Sequence, residues 1–130
     1  AASTAAMRTR RVLLVEDDAT IARVLLGLLR EQGHEASHAG NALAALAELD
    51  GGSYDTVLVD IDLPDLDGFE LIRMLRARPD GRRWHIVVVT ARSNRDDESL
   101  AERAGADDFL RKPVSGRQLR AALEAGHIPK

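Results

Sequence analysis

Three short stretches of the chain are almost entirely aliphatic, without polar alternation, at residues 11–15, 56–59 and 86–89. Apolar runs of this length are typical of central strands in a parallel sheet, because both faces of such a sheet are covered. Residues 34–39 are only weakly apolar, which favours an edge strand, and residues 108–110 indicate a short final strand. The pattern therefore predicts five strands.

Between these strands, apolar residues recur at the spacing of an amphipathic helix. Asp18 and Asn41 stand where N-caps of the first and second helices are expected. The fourth helix, residues 96–103, is polar and is closed by Gly105. The predicted apolar faces of the other helices are Ile21, Val24, Leu25, Leu28 and Leu29; Leu43, Leu46, Ala47 and Leu49; Phe69, Ile72 and Leu75; and Leu119, Ala122 and Leu123.

Five strands that alternate with five helices predict an α/β fold, because each strand-helix-strand unit returns as a right-handed crossover to a parallel neighbour. We expect a flavodoxin-like (βα)5 doubly wound sheet with strand order 2-1-3-4-5. In that order the switch point, where ligands bind, lies between strands one and three at their carboxyl ends.

Composition narrows the class of protein. The chain has 130 residues, which suits one domain; 45% are hydrophobic and 30% charged, so neither a disordered nor a membrane protein is favoured. The lack of cysteine excludes disulfides, cysteine-zinc clusters and thiol catalysis, and we expect a cytoplasmic location. A net charge of −3 with both signs interspersed indicates no direct nucleic-acid contact. We expect linker or vector-derived residues at 1–9, one domain at 10–126 and a tail at 127–130.

Four of the five predicted strands end on side chains that suit phosphoryl chemistry: Glu16 with Asp17, Asp60, Thr90 and Lys112. At the switch point the three carboxylates would repel one another, and a hard divalent cation relieves that repulsion. An all-oxygen set with few protein ligands suits Mg²⁺, which keeps several waters and shares its shell with phosphate. The lysine and the hydroxyl would flank the metal.

Each of these residues also has a structural interpretation when taken alone. An aspartate after a strand is often a turn former or a helix cap, and Lys112 could be a solvated surface lysine. Thr90 could bond to backbone at a strand end, and Phe109 could belong to the core. Their recurrence at the ends of neighbouring strands favours the chemical interpretation.

The motifs resemble those of the receiver domains of two-component response regulators over residues 10–126. The matching segments are Leu-Val-Glu-Asp-Asp at 14–18, Asp-Ile-Asp-Leu-Pro at 60–64 followed by Gly68, Val-Thr-Ala at 89–91, and Gly-Ala-Asp-Asp-Phe-Leu-Arg-Lys-Pro at 105–113.

The resemblance implies that Asp60 is the phosphoacceptor, which takes its phosphoryl group from a histidine kinase or a histidine phosphotransfer domain. Glu16 and Asp17 would bind Mg²⁺, or Mn²⁺ in its place, together with Asp60 and the backbone carbonyl of Asp62. Lys112 would pair with the phosphoryl oxygens. Such a domain catalyses only its own phosphorylation and dephosphorylation.

The resemblance also implies a switch formed by Thr90 and Phe109, which would alter a face of the fourth helix, fifth strand and fifth helix. That face would bind a downstream protein or output domain, without membrane contact. Phenylalanine lacks the hydroxyl of the commoner tyrosine. Asp62 and Arg92 would border the path of the hydrolytic water and tune the phosphoryl lifetime. A cis Lys112–Pro113 bond is expected.

Three alternatives remain open at this point. The spacing of Asp60 and Asp62 also occurs in haloacid dehalogenase-like phosphatases, although their acidic metal pair lies downstream of the nucleophile. A receiver fold that signals without phosphorylation usually lacks an acidic, acceptor or lysine residue, and none is missing here. The chain could also be a receiver module excised from a hybrid histidine kinase.

The remaining polar and aromatic residues predict no further site. The four histidines, at 34, 38, 85 and 127, lack ligand spacing and are interpreted as surface or edge residues. Trp84 is expected to anchor a connecting loop by packing. Arginines at 73, 76, 78, 82 and 83 are interpreted mainly as a solvated rim.

Overall fold

The computed structural model describes residues 9–125, which form one five-stranded sheet with helices on both faces. The strands are β1 (Arg11–Val15), β2 (Glu35–Ala39), β3 (Thr56–Val59), β4 (His85–Thr90) and β5 (Asp108–Arg111). The helices are α1 (Ala19–Glu31), α2 (Ala42–Gly51), α3 (Gly68–Arg76), α4 (Asp97–Ala104) and α5 (Gly116–Ala125), with a 3₁₀ turn at Gly81–Arg83. None of the helices in this range is long and apolar enough to cross a membrane.

The sheet confirms the predicted doubly wound topology. All neighbouring strands are parallel and their order is β2-β1-β3-β4-β5. Val15 pairs with Val59, so β1 and β3 end at the same level of the sheet. The carboxyl ends of these two central strands therefore meet where the topology reverses.

Two apolar layers explain why the central strands lack polar alternation. Leu13 and Val57 point to one side of the sheet, where they pack with α2, α3 and α4. Val12 and Leu58 point to the other side and pack with α1 and α5. Because successive residues of a strand face opposite ways, covering both faces requires apolar residues at every position.

The helix faces differ from the prediction in α1 and α2. Val24 is 58% exposed and Leu43 is 70% exposed, although both had been assigned to apolar faces. Ala47 is exposed as well. Alanines share the buried positions with leucines: Ala22 is buried in α1 along with Leu25 and Leu29, and Ala45 is buried in α2 along with Leu49. A small side chain at such a position leaves room for the helix backbone to lie close to the strands.

Two histidines interpreted as surface or edge residues are buried, so that interpretation is wrong for them. The Nδ1 atom of His34 accepts a hydrogen bond of 3.1 Å from the Arg10 amide. His85 lies within 3.1 Å of the Ala122 carbonyl of α5 and within 3.4 Å of two carboxylates, Asp107 and Asp108. His38 is exposed as predicted, and the fourth histidine, at 127, lies outside the described residues.

The interpretation of a solvated arginine rim is wrong at Arg76. Its guanidinium donates to the carbonyls of Gly105, Gly81 and Trp84 at 2.7–2.8 Å and pairs with Asp107 at 2.8 Å. Trp84 is buried, which confirms it as a packing anchor.

The expected terminal segments lie outside the described residues, apart from residue 9 of the linker expected at 1–9. This applies to the tail expected at 127–130 and also to residue 126.

Candidate functional site

The carboxyl edge of β1 and β3 brings the three predicted carboxylates together. Glu16 follows β1 and Asp60 follows β3, and the Asp60 amide donates to the Val15 carbonyl at 3.0 Å. Glu16 and Asp60 are buried, whereas Asp17 is exposed. One carboxylate oxygen from each of the three lies within 4.8 Å of the others. The result is a compact acidic pocket that opens to solvent at Asp17.

Lys112 enters this pocket from the segment that follows β5. Its Nζ atom lies 2.5 Å from Glu16 Oε1 and 3.3 Å from Asp60 Oδ2, and only 11% of its side chain is exposed. The peptide bond to Pro113 is cis, as predicted. The interpretation of Lys112 as a solvated surface residue is therefore wrong, since the ammonium bridges two buried carboxylates.

The electrostatics of the pocket follow from this crowding. Burial raises the pKa of the Asp60 carboxyl and the charge of Glu16 raises it further, while Lys112 acts in the opposite direction without cancelling the shift. Burial alone would lower the pKa of the Lys112 ammonium, but its hydrogen bond to Glu16 and the charge of Asp60 outweigh burial and raise it. Three carboxylates and one ammonium leave two formal negative charges. A divalent cation would neutralise them.

The donor set fits Mg²⁺. Its ligand atoms are all carboxylate oxygens, they converge from two strand ends, and the exposed side at Asp17 leaves room for water and a phosphate oxygen. A hard cation that keeps part of its water shell prefers such a partial oxygen cage. Glu16, Asp17 and Asp60 are therefore the residues that would hold the metal.

The loop after Asp60 is held by close backbone packing at Gly68 and by hydrogen bonds that Asp65 accepts from the start of α2. The Gly68 amide donates to the Ile61 carbonyl at 2.9 Å, and a β-carbon on Gly68 would lie 2.5 Å from the Asp60 carbonyl oxygen. The Asp62 amide lies 3.3 Å from Asp60 Oδ1, while the Asp62 side chain is exposed. Asp65 accepts from the first two amides of α2, at 2.9 Å each. Glycine at position 68 therefore lets α3 begin directly against the phosphoacceptor candidate.

Thr90 and Arg92 lie at the end of β4. The Thr90 side chain is fully buried, and its Oγ1 accepts a hydrogen bond of 3.1 Å from the Arg92 amide. The Arg92 guanidinium lies 3.8 Å from Asp62 and closer, at 3.3 Å, to Asp97. It also lies 5.8 Å from the centroid of the Phe69 ring.

Asp97 is a residue that the sequence did not single out. It is fully buried in the first turn of α4, and its Oδ2 accepts from the Asn94 amide at 3.1 Å. The acidic run at 96–98 resembles an ordinary solvated helix start, so no local signal marks the one member that is buried. Its contact with Arg92 ties the end of β4 to α4.

Phe109 is half-buried in β5, where it packs against the apolar layer that contains Ala101 and Ala104. Beside it runs a groove of about 220 Å³ between α4 and β5. The groove is lined by Glu98, Ala101, Glu102, Ala106, Asp107, Asp108 and Phe109. Four of these seven residues are acidic, and one of the four, Asp107, is paired with Arg76.

The fold and the site define a doubly wound α/β domain with a lysine-bridged acidic pocket at the carboxyl edge of its sheet. A family model described as the response regulator receiver domain matches residues 12–124, and the chain belongs to that family. The family match also removes the dehalogenase-like alternative, whose acidic pair would follow the nucleophile along the chain.

Several known proteins are similar to this chain. It is 40% identical over 114 residues to the sensory transduction protein RegX3 of Mycolicibacterium smegmatis, covering 88% of this chain and 49% of that protein. It is 38% identical over 125 residues to the transcriptional regulatory protein TcrA of Mycobacterium tuberculosis, covering 92% of this chain and 48% of that protein. The chain thus spans about half the length of these relatives.

A similar solved structure is the receiver domain of the sensor histidine kinase PA1611 from Pseudomonas aeruginosa PAO1, with a magnesium ion coordinated in its active-site cleft. The two superpose with a TM-score of 0.82 at 31% identity, and the match covers 91% of this chain and 97% of that chain.

Proposed function

We propose that this domain accepts a phosphoryl group on Asp60 from a phosphohistidine donor and so carries a signal to a partner. The observation that supports this most strongly is the Lys112 ammonium, placed between Asp60 and Glu16 inside a pocket of three carboxylates. An Asp60 oxygen would attack phosphorus while the bond from phosphorus to the imidazole nitrogen breaks and its electron pair returns to the imidazole. Such transfer depends mainly on positioning and on charge stabilisation.

Each residue of the pocket has a distinct part in this proposal. Glu16 and Asp17 would hold Mg²⁺ with Asp60 and the Asp62 carbonyl, and the bound ion would neutralise charge on the phosphoryl oxygens. Lys112 would exchange its present carboxylate partners for a phosphoryl oxygen. The protein would then act on itself alone, by catalysing its own phosphorylation and dephosphorylation.

Phosphorylation by a small acyl phosphate in the presence of Mg²⁺ tests the proposal, with mass spectrometry to locate the modified residue. We expect stoichiometric modification of Asp60 that a chelator abolishes and that Asp60→Asn removes. Asp67→Asn is a matched control, because Asp67 lies in the same loop and caps α3 by accepting from the Phe69 amide at 2.7 Å, which asparagine can also do. Undiminished modification of Asp60→Asn would refute the assignment.

A switch to a partner-binding face is the second part of the proposal. Thr90 would turn towards the phosphoryl group and Phe109 would move inward, which alters the face formed by α4, β5 and α5. Glu98 and Glu102, which line the groove beside Phe109, suit a partner segment that carries basic residues. Amide chemical shifts on binding of beryllium fluoride with Mg²⁺ should change in α4 and β5; changes confined to the metal pocket would contradict the switch.

The setting of the domain is proposed from its relatives. Their greater length suggests an output domain linked to a receiver at residues 10–126, and the similarity supports a receiver domain as such rather than a hybrid kinase specifically. The output domain or downstream protein would meet the switch face, and the donor would be a histidine kinase or phosphotransfer domain. A cytoplasmic location without nucleic-acid contact by this domain remains a prediction.

A further inference from the structure

Arg111, at the end of β5, contacts both the loop that follows β4 and the ring of Phe109. One terminal nitrogen of its guanidinium donates to the carbonyl of Arg92, and the other donates to the carbonyl of Asn94 at 3.1 Å. The guanidinium carbon lies 4.9 Å from the centroid of the Phe109 ring. A planar cation with a fork of donors can bond two carbonyls and stack on an aromatic ring at the same time, which lysine cannot do.

These contacts bear directly on Thr90. The carbonyl of Arg92 accepts from Arg111, while the amide of the same residue donates to Thr90 Oγ1. Arg111 therefore constrains the backbone of the residue whose amide donates to the Thr90 hydroxyl. Apart from Arg92, the side chains of residues 91–96 are exposed, so this loop has little apolar packing of its own to fix its position.

The contact of Arg111 with the Phe109 ring matters because phenylalanine has no hydroxyl with which to form a hydrogen bond. One side of its ring packs against the apolar layer under α4, and Arg111 lies over the ring. An inward movement of the ring would break this cation–π contact. A movement of the loop towards Asp60 would break the two hydrogen bonds from the same guanidinium.

We propose that Arg111 is a positioning residue that holds the β4–α4 loop and Phe109 together in the resting arrangement and thereby opposes activation. The inference rests on the proposed phosphorylation of Asp60, since it concerns how strongly that event shifts the conformation. A ligand shifts the equilibrium between the resting and the active conformation only as far as its affinities for the two differ. Contacts that exist only in the resting conformation are lost when a phosphoryl group binds, and they therefore weaken its apparent affinity.

Titration with beryllium fluoride and Mg²⁺, followed by amide and aromatic NMR signals, tests this. Each exposed contact of Arg111 is modest, so we expect Arg111→Ala to bind the phosphoryl mimic about three- to tenfold more tightly than wild type. Arg111→Lys should fall between them. Phe69 and Phe109 are the only phenylalanines in the sequence, so their ring signals are readily assigned. In Arg111→Ala without the mimic, the Phe109 signals should move towards the position that they have in wild type saturated with the mimic.

Arg95→Ala is the matched control, because Arg95 is an exposed arginine of the same loop and its removal changes the net charge equally. It should bind the mimic as wild type does. An Arg111→Ala affinity equal to that of Arg95→Ala, or weaker than wild type, would overturn the role of Arg111 and leave the phosphoacceptor proposal intact. A wild-type protein that binds no mimic at all would overturn both.

Discussion

Gly68→Ala tests how closely α3 packs against the phosphoacceptor candidate. The added β-carbon would lie 2.5 Å from the Asp60 carbonyl oxygen and 2.7 Å from the Ile61 Cα atom, whereas ordinary contacts of a β-carbon are 3.4–4 Å. Both neighbours are backbone atoms, which cannot rotate away. Either the start of α3 or the backbone of Asp60 must therefore move by about 1 Å.

The expected cost follows from this overlap. Overpacking of a buried contact typically costs about 1–3 kcal/mol, and alanine recovers part of that through its better helix propensity. We expect a net loss of about 1–2 kcal/mol in the free energy of unfolding, which lowers Tm by about 3–10 °C for a domain of this size. The rate of phosphorylation by an acyl phosphate should also fall, because the displaced atoms belong to the residue that carries the reacting carboxylate.

Urea unfolding and the phosphorylation rate, measured on the same preparations, check this prediction. Gly27→Ala is the control, since a β-carbon at Gly27 in the middle of α1 meets nothing within 4 Å. That variant should be stabilised by about 0.5–1 kcal/mol through helix propensity and should be phosphorylated as fast as wild type. If Gly68→Ala were as stable and as reactive as Gly27→Ala, the close approach of α3 to Asp60 would not exist.

Three further predictions concern pH and lifetime. Burial, and then a nearby arginine, lower the pKa of His34 from 6.5, so the stability due to its neutral form is complete above that pH and is lost as pH falls. In urea unfolding between about pH 7.5 and 5, the free energy of unfolding should therefore fall more steeply for wild type than for His34→Asn. Hydrogen bonds from the first two amides of α2 lower the pKa of Asp65, so Asp65→Ala should speed hydrogen exchange at the start of α2 at neutral pH, with the difference vanishing in acid. Arg92→Ala should shorten the phosphoryl lifetime and Asp62→Ala should lengthen it, each by a few-fold, as measured by phosphate release. Changes of lifetime in the opposite directions would mean that neither side chain controls the path of the hydrolytic water.

The strand ends were predictable because their signals are local. A run such as 56–59 must be apolar on both faces to lie in the middle of the sheet, and the polar residue that ends it, Asp60, is adjacent in sequence. The same holds for Glu16 after β1 and Lys112 after β5. Once the strand order is known, their meeting point follows without any side-chain detail.

What could not be predicted depends on contacts between distant segments. Helical periodicity identifies a broad stripe, and it cannot show that Ala22 rather than Val24 packs on the sheet, because that choice depends on how closely the helix approaches. Asp97 and Arg111 look like solvated residues in the sequence. Their roles depend on the path of the β4–α4 loop, which brings Arg92 to both of them.

The strand order has a consequence for how the chain folds. β1 lies between β2 and β3, pairing Arg11 with Glu35 and Val12 with Thr56. The first strand of the sheet therefore acquires its second neighbour only after α1 and α2 have been synthesised. No pairing within the sheet joins strands through a tight hairpin, and each awaits an intervening crossover. Folding should therefore be slower than in a helical bundle of equal length, and we expect the β2-β1-β3 half, with Leu13 and Val57 at its centre, to form the nucleus onto which β4 and β5 later add.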